Sequence, residues 1–283
     1  MGSNPATLPQ PATEAGAEGL AALLAAPGSA VVALDFDGTL ADIVPDPEQA
    51  RAHPGAVEAL GALAPHLASA VVVTGRPASV AVEYGGFAGA PGLERLVVLG
   101  HYGAERWDAA TGTLQTPPPH PGVAGARAEL DDAVRRFAPG QEVWTEEKGQ
   151  SFAVHTRRAA DPDAAFAALR APLRDLAVRH GIVLEPGRQV LELRPPGMDK
   201  GAALTAYARE TGARTVAYAG DDLGDLAAFD AVDALRAEGR TGLLLSSGTA
   251  TAALTARADL ALDGPSAVVA FLTALAARLG GDA

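Results

Sequence analysis

Ala30-Val31-Val32-Ala33-Leu34-Asp35-Phe36-Asp37-Gly38-Thr39-Leu40 is the stretch from which the rest of the chain is read. An apolar run ends in two carboxylates two residues apart, followed at once by glycine and threonine. In extended backbone, residues i and i+2 point the same way. A buried strand would therefore deliver Asp35 and Asp37 together at its C-terminal end. Carboxylates that close repel each other unless a cation or a shared proton relieves them. A solvated Asp-x-Asp-Gly turn is the plain alternative. The apolar strand before the pair and Gly38-Thr39-Leu40 after it favour a chemical site.

Further apolar runs resemble this one: 69–76 (SAVVVTGR), 95–100 (RLVVLG), 215–222 (TVAYAGDD), 242–247 (GLLLSS) and 259–264 (DLALDG). Continuous Val/Leu/Ala runs suit strands buried on both faces. Helical patterns lie between them, over about 54–68, 77–86, 200–211, 223–238, 249–257 and 265–279. Strands alternating with helices predict an α/β fold, a doubly wound parallel sheet. Polar residues stand just past several strands (Asp35, Thr74, His101, Asp221), where open α/β sheets bind ligands. The middle of the chain differs. Thr116-Pro117-Pro118-Pro119-His120-Pro121 forms a stiff hinge. Helices over 122–138 and 162–180, the second interrupted by Pro172, then mix with strands near 142–145, 151–157, 182–185 and 189–194. The expected organisation is a disordered Pro/Ala tail over 1–19, a short helix over 20–26, a core of 20–115 and 196–283, and an inserted α+β domain over 116–195.

The chain has 283 residues, room for two domains, and 48% of them are hydrophobic. Acids outnumber bases 34 to 22, a formal charge of -12. That argues against nucleic acid or an anionic membrane as a partner. The absence of cysteine excludes disulfides and thiol catalysis. No apolar stretch is long enough to span a bilayer. The run Leu20 to Ala30 is preceded by Glu14 and Glu18 and by no base, the wrong flank for a secretory signal. A cytoplasmic monomer is expected.

Three other places carry chemistry. Thr74-Gly75-Arg76-Pro77 follows a valine run and opens a helix, where Thr and exposed amides form an anion site. Alone, it would be a plain helix cap. Lys200 opens another helix, where it opposes the dipole; a cation that must meet a phosphoryl oxygen has a reason to be there. Gly220-Asp221-Asp222-Leu223-Gly224-Asp225 sets three carboxylates on a loop after a strand, as hard-cation sites do.

These four segments, in this order, resemble the four motifs of the haloacid-dehalogenase-like (HAD) phosphohydrolases. The resemblance implies a Rossmann-like core with an inserted cap. It implies that Asp35 attacks phosphorus and Asp37 serves as acid and base, while Thr74 and Lys200 hold the phosphoryl oxygens. Mg2+ would bind through Asp35, the backbone carbonyl of Asp37 and Asp221, with Asp222 or Asp225 holding its waters or orienting Lys200. Within the insert, Glu146-Glu147-Lys148 and His155-Thr156-Arg157 resemble the Glu-x-Lys…His-x-Arg segment of trehalose-6-phosphate phosphatases. Gly100-His101-Tyr102-Gly103-Ala104-Glu105 and Glu192 to Lys200 resemble two further segments of that family. The resemblance makes Glu146, Lys148, His155 and Glu192 sugar contacts, with Gly75, Arg76, His101, Glu105 and Arg157 also at the substrate. Gly224 and Leu226 stand where that family has Thr and Glu. Phosphatases of mannosylglycerate phosphate, sucrose phosphate or a sugar monophosphate, a phosphomutase, and a catalytically silent sugar-phosphate sensor are the rival readings.

Overall fold

The structure is a computed structural model that describes residues 7–281. The chain divides into two compact units, one of residues up to 115 and from 199 onward, the other of 116–198.

The first unit is built on an eight-stranded sheet. Its strands are β1 (Ala30–Leu34), β2 (Ser69–Val73), β3 (Leu96–Gly100), β4 (Glu105–Asp108), β5 (Thr113–Gln115), β10 (Thr215–Gly220), β11 (Thr241–Ser247) and β12 (Leu260–Leu262). Their spatial order is β12-β11-β10-β1-β2-β3-β4-β5. The six strands expected from the apolar runs are parallel. Missing from the sequence reading are β4 and β5, an antiparallel extension beyond β3. Both are short, β4 is mostly charged (Glu105-Arg106-Trp107-Asp108) and β5 has a single apolar residue, Leu114, so no apolar run announces them. The chain leaves β1 toward β2 on one side and returns through β10 on the other, so β1 lies at a topological switch point.

Alternation along β1 explains the two layers that cover it. Ala30, Val32 and Leu34 enter one core with Leu60 of α2 (Ala56–Leu63), Ala81 of α3 (Ala78–Gly85) and Leu272 of α9 (Gly264–Gly280). Val31 and Ala33 enter the other, with Leu204 of α6 (Lys200–Glu210), Phe229 of α7 (Leu226–Ala237) and Leu254 of α8 (Ala252–Thr255).

The expectation of a disordered tail over 1–19 is corrected from Ala12 onward; residues 1–6 lie outside the described residues. Helix α1 runs over Glu14–Ala25, six residues earlier than expected at its start. Thr13 caps it, accepting from Gly16 N–H at 3.0 Å, and donates to the buried Asp259 carboxylate. Ala12 N–H donates to Asp259 O at 2.7 Å. Helix and sheet meet through absent side chains: a Cβ on Gly19 would stand 1.7 Å from Gly242 O. Alanine and glycine, which read as a low-complexity tail, here form a flat docking face.

In the second unit, α4 (Pro121–Phe137) and α5 (Pro162–Arg179) cover a sheet of β6 (Trp144–Glu147), β7 (Phe152–His155), β8 (Val183–Gly187) and β9 (Val190–Arg194). The strand order is β6-β7-β9-β8, all antiparallel. Phe152, Val154, Leu191 and Leu193 face the helices and form a separate core. Helix α5 continues through Pro172, where interruption was expected. Leu169, Leu173 and Leu176, all buried, hold both halves against the sheet across the missing hydrogen bond.

Candidate active site

Strand β1 ends at Leu34, and Asp35 N–H makes a last bond to β10, donating to Ala219 O at 2.9 Å. Phe36 is fully buried in the Val32 and Leu34 core, so Asp35 turns to the opposite side, the side of α6. There it meets Lys200 in the first turn of α6: Lys200 Nζ lies 2.8 Å from Asp35 Oδ1 and 2.7 Å from Asp225 Oδ1. Asp199 caps the helix by accepting from Ala202 N–H at 2.8 Å. Lys200 is 5% exposed. Burial alone would push the pKa of its ammonium down; the Asp35 and Asp225 carboxylates more than reverse this and hold it above the ordinary lysine value. The dipole penalty noted in the sequence is offset by this pair of anions.

Asp35 is 5% exposed, and burial pushes its pKa well above the usual carboxylate range, with Asp225 and Asp221 adding to the rise and Lys200 opposing it. Asp221 is pushed up to about 7 by burial and by the charges of Asp222 and Asp225. Asp225 behaves otherwise. Burial raises its pKa, but the charge of Lys200 and hydrogen bonds from Lys200 and Tyr218 outweigh that and hold it below the ordinary value.

Carboxylate oxygens of Asp35, Asp221 and Asp225 lie within 4.8 Å of one another. An all-oxygen donor set with uncompensated charge suits a hard divalent cation such as Mg2+. The loop also packs tightly here: Gly38 has φ 76°, and a Cβ on it would stand 2.1 Å from Asp221 Oδ2. The residues present therefore fit a cation held by Asp35 and Asp221. Two acids assigned to the metal by resemblance have other work. Asp225 Oδ1 accepts from Lys200 and from Tyr218 OH (2.6 Å), and its Oδ2 accepts from the amides of Asp221 (2.9 Å) and Asp222 (3.1 Å). With all four acceptor positions taken, it orients Lys200 and the loop. Asp222 accepts from Gly224 N–H at 2.8 Å and caps the turn 223–225, outside the cluster of three.

Asp37 and Asp35 do not share one cluster. The chain bends after β1, and Asp37 is gripped by Arg76: Nε donates to Oδ2 at 2.6 Å and Nη2 to Oδ1 at 2.7 Å. Arg76 lies beside the rings of Phe36 and Tyr84, 5.9 and 5.3 Å from their centroids. Thr74, 1% exposed, accepts from Arg76 N–H at 3.1 Å, which leaves its own hydroxyl hydrogen to donate. Gly75 between them has Tyr102 against it; a Cβ would stand 2.7 Å from the Tyr102 hydroxyl.

His101 and Glu105, expected at the substrate, are 1% and 8% exposed. Glu105 Oε2 accepts from Ala78 N–H at 2.8 Å, and His101 Nε2 lies 3.8 Å from Oε1. Both side chains are buried, and Glu105 braces the start of α3.

In the second unit, one face of the antiparallel sheet is charged. Glu146, Ala153, Glu192 and Glu185 stand in one row across it, and Trp144 and His155 in the next. His155 Nε2 lies 3.0 Å from Glu146 Oε2. Lys148 Nζ donates to Glu192 Oε2 at 3.3 Å and lies 4.0 Å from Glu146. The four residues expected as sugar contacts are thus brought together. Arg157 is exposed, beyond the end of β7. Sequence reasoning missed Tyr218, Ser151, which donates to Glu192 at 2.8 Å, and Trp144, which stacks on His155 at 4.5 Å and 27°. For Tyr218 a signal existed: a buried tyrosine in a strand needs a partner for its hydroxyl, and an acid follows seven residues on.

The family model for trehalose-phosphatases matches residues 33–264. A protein described as an uncharacterized glycosyl hydrolase from Mycobacterium tuberculosis is 40% identical over 214 residues, covering 71% of this chain and 15% of that protein. A trehalose-phosphate phosphatase from Mycobacterium bovis is 36% identical over 265 residues, covering 88% of this chain and 61% of that protein. The chain thus spans less than two thirds of the length of these curated relatives. The C-terminal domain of C. albicans trehalose-6-phosphate phosphatase superposes with TM-score 0.73 at 19% identity, over 96% of this chain and 99% of that one. At that identity the likeness concerns the fold alone. The match over most of its length shows that the chain belongs to the trehalose-phosphatase family.

Proposed function

We propose that this chain is a Mg2+-dependent phosphatase that hydrolyses trehalose 6-phosphate to trehalose and phosphate. The observation that carries the reading is the buried array of Asp35, Lys200 and Asp225 beside Asp221 at the strand ends, on a chain of this family. Asp35 attacks phosphorus, forming an aspartyl-phosphate as the bond to the sugar oxygen breaks. The departing oxygen takes a proton from Asp37. Water then attacks the phosphoryl group, giving a proton back to Asp37, and releases phosphate and free Asp35. Lys200 neutralises charge on the phosphoryl oxygens, and the Thr74 hydroxyl donates to them. When bound, Mg2+ supplies positive charge that offsets the crowded acids and polarises the phosphoryl group. Arg76 keeps the Asp37 carboxylate in one orientation. Glu146, Lys148, His155 and Glu192 recognise the sugar: paired acids and a lysine satisfy many hydroxyls at once.

The test is phosphate release from a panel of sugar phosphates with and without Mg2+. Turnover of trehalose 6-phosphate that needs the metal and exceeds that of mannosylglycerate, sucrose and monosaccharide phosphates supports the reading. Turnover confined to one of the others would reassign the substrate, and release from none would sink the enzyme itself.

A further inference from the structure

His101 and Tyr102, consecutive residues after β3, have φ of 46° and 57°. Such left-handed backbone is uncommon for residues with a side chain, and two in succession persist where the surroundings over-determine them. What they are pinned to is the loop 74–78. Tyr102 N–H donates to Thr74 O and His101 N–H to Arg76 O, each at 2.9 Å. The Tyr102 ring covers Gly75, and a Cβ on Gly100 would stand 2.3 Å from Ala78 N. A further tie is electrostatic. Pro77 precedes α3 and has no side chain able to cap it. Glu105, arriving from β4, accepts from Ala78 N–H instead and sets a buried carboxylate on that first turn.

We propose that Glu105 is a positioning residue for the phosphoryl loop, and that through its bond to Ala78 it sets Thr74 and Arg76, and by way of Arg76 the carboxylate of Asp37. It touches neither sugar nor phosphate. This rests on the roles given above to Thr74 and Asp37. The strained pair and the buried cap act together: the amides of His101 and Tyr102 fix the carbonyls of the loop, and Glu105 fixes its exit into the helix. Displacement of the loop by about 1 Å would misplace both the donor and the acid, a loss on the order of 10²-fold in rate.

The experiment compares Glu105→Ala and Glu105→Gln with the parent on trehalose 6-phosphate and on p-nitrophenyl phosphate, which has no sugar. A positioning role lowers kcat of Glu105→Ala by about 10- to 100-fold on both substrates with little change in KM. Glu105→Gln, whose amide oxygen still accepts from Ala78, recovers most of it. A rise in KM for the sugar phosphate alone, equal losses in the two variants, or parent-like kcat in both overturns the proposal. Should Glu105→Ala not fold, Glu105→Asp keeps the charge but draws the carboxylate back from Ala78 N–H. A fall in kcat on both substrates then supports the assignment, and an unchanged kcat overturns it. Parent activity on trehalose 6-phosphate is measured first. Its absence defeats the substrate reading, while the aryl phosphate comparison still decides the positioning role.

Discussion

Asp35 must be ionised to attack, yet it sits 5% exposed beside two other acids. Lys200 at 2.8 Å opposes the rise in its pKa that burial and the neighbouring acids cause, and Asp225 holds Lys200 in turn. Removing the attacking oxygen's charge leaves that packing in place, because asparagine has nearly the same shape. Asp35→Asn should therefore lower turnover of any phosphate ester by more than about 10³-fold while the circular dichroism spectrum stays that of the parent. Substantial remaining activity would refute the nucleophile. The identity of this residue was legible in the stretch 30–40 because its neighbours were contiguous. The partition of labour among the later acids was not. Asp221, Asp222 and Asp225 look alike in sequence, and only hydrogen-bond saturation separates the metal candidate Asp221 from the orienting Asp225 and the capping Asp222.

Elements carry the next level of specificity. Helix α1 docks on β11 through Gly19, with no room for a methyl group against Gly242 O. Gly19→Ala should destabilise the protein by about 1–3 kcal/mol in chemical denaturation, despite alanine's better helix propensity; a more stable variant would show the helix free to move off the sheet. In the second unit, alternation in β6, β7 and β9 sorts an apolar face from a charged one. If the charged face meets the sugar, Glu146→Ala raises KM for trehalose 6-phosphate by about 10-fold or more, with KM for p-nitrophenyl phosphate nearly unchanged. Equal effects on the two substrates would remove Glu146 from sugar recognition. Strand periodicity made these elements readable to within a few residues. Strands β4 and β5 escaped because both are short and β4 is mostly charged, and the first half of α1 escaped because it holds alanine, glycine and glutamate where periodicity needs large apolar residues.

For the whole molecule, a Mg2+ ion bound as proposed among the strand-end acids would couple its binding to folding. Mg2+ at about 100 times its dissociation constant should stabilise folding by about 2.7 kcal/mol and raise Tm by several degrees; Asp221→Asn should abolish the shift, and an unchanged Tm in the parent would remove the metal from this site. Among the described residues no helix is long and apolar enough to cross a membrane. The chain by itself determined the six parallel strands and the helices between them, the proline-bracketed insert and the four chemical segments, because each is written in contiguous residues as periodicity or a short motif. Tertiary structure alone decided that Arg76 grips Asp37 across 39 positions, that Lys200 bridges Asp35 and Asp225, and that Glu105 faces inward to brace a helix. Those pairings depend on which strand lies beside which and on what burial leaves uncompensated, and neither quantity exists until the sheet has closed around its two cores.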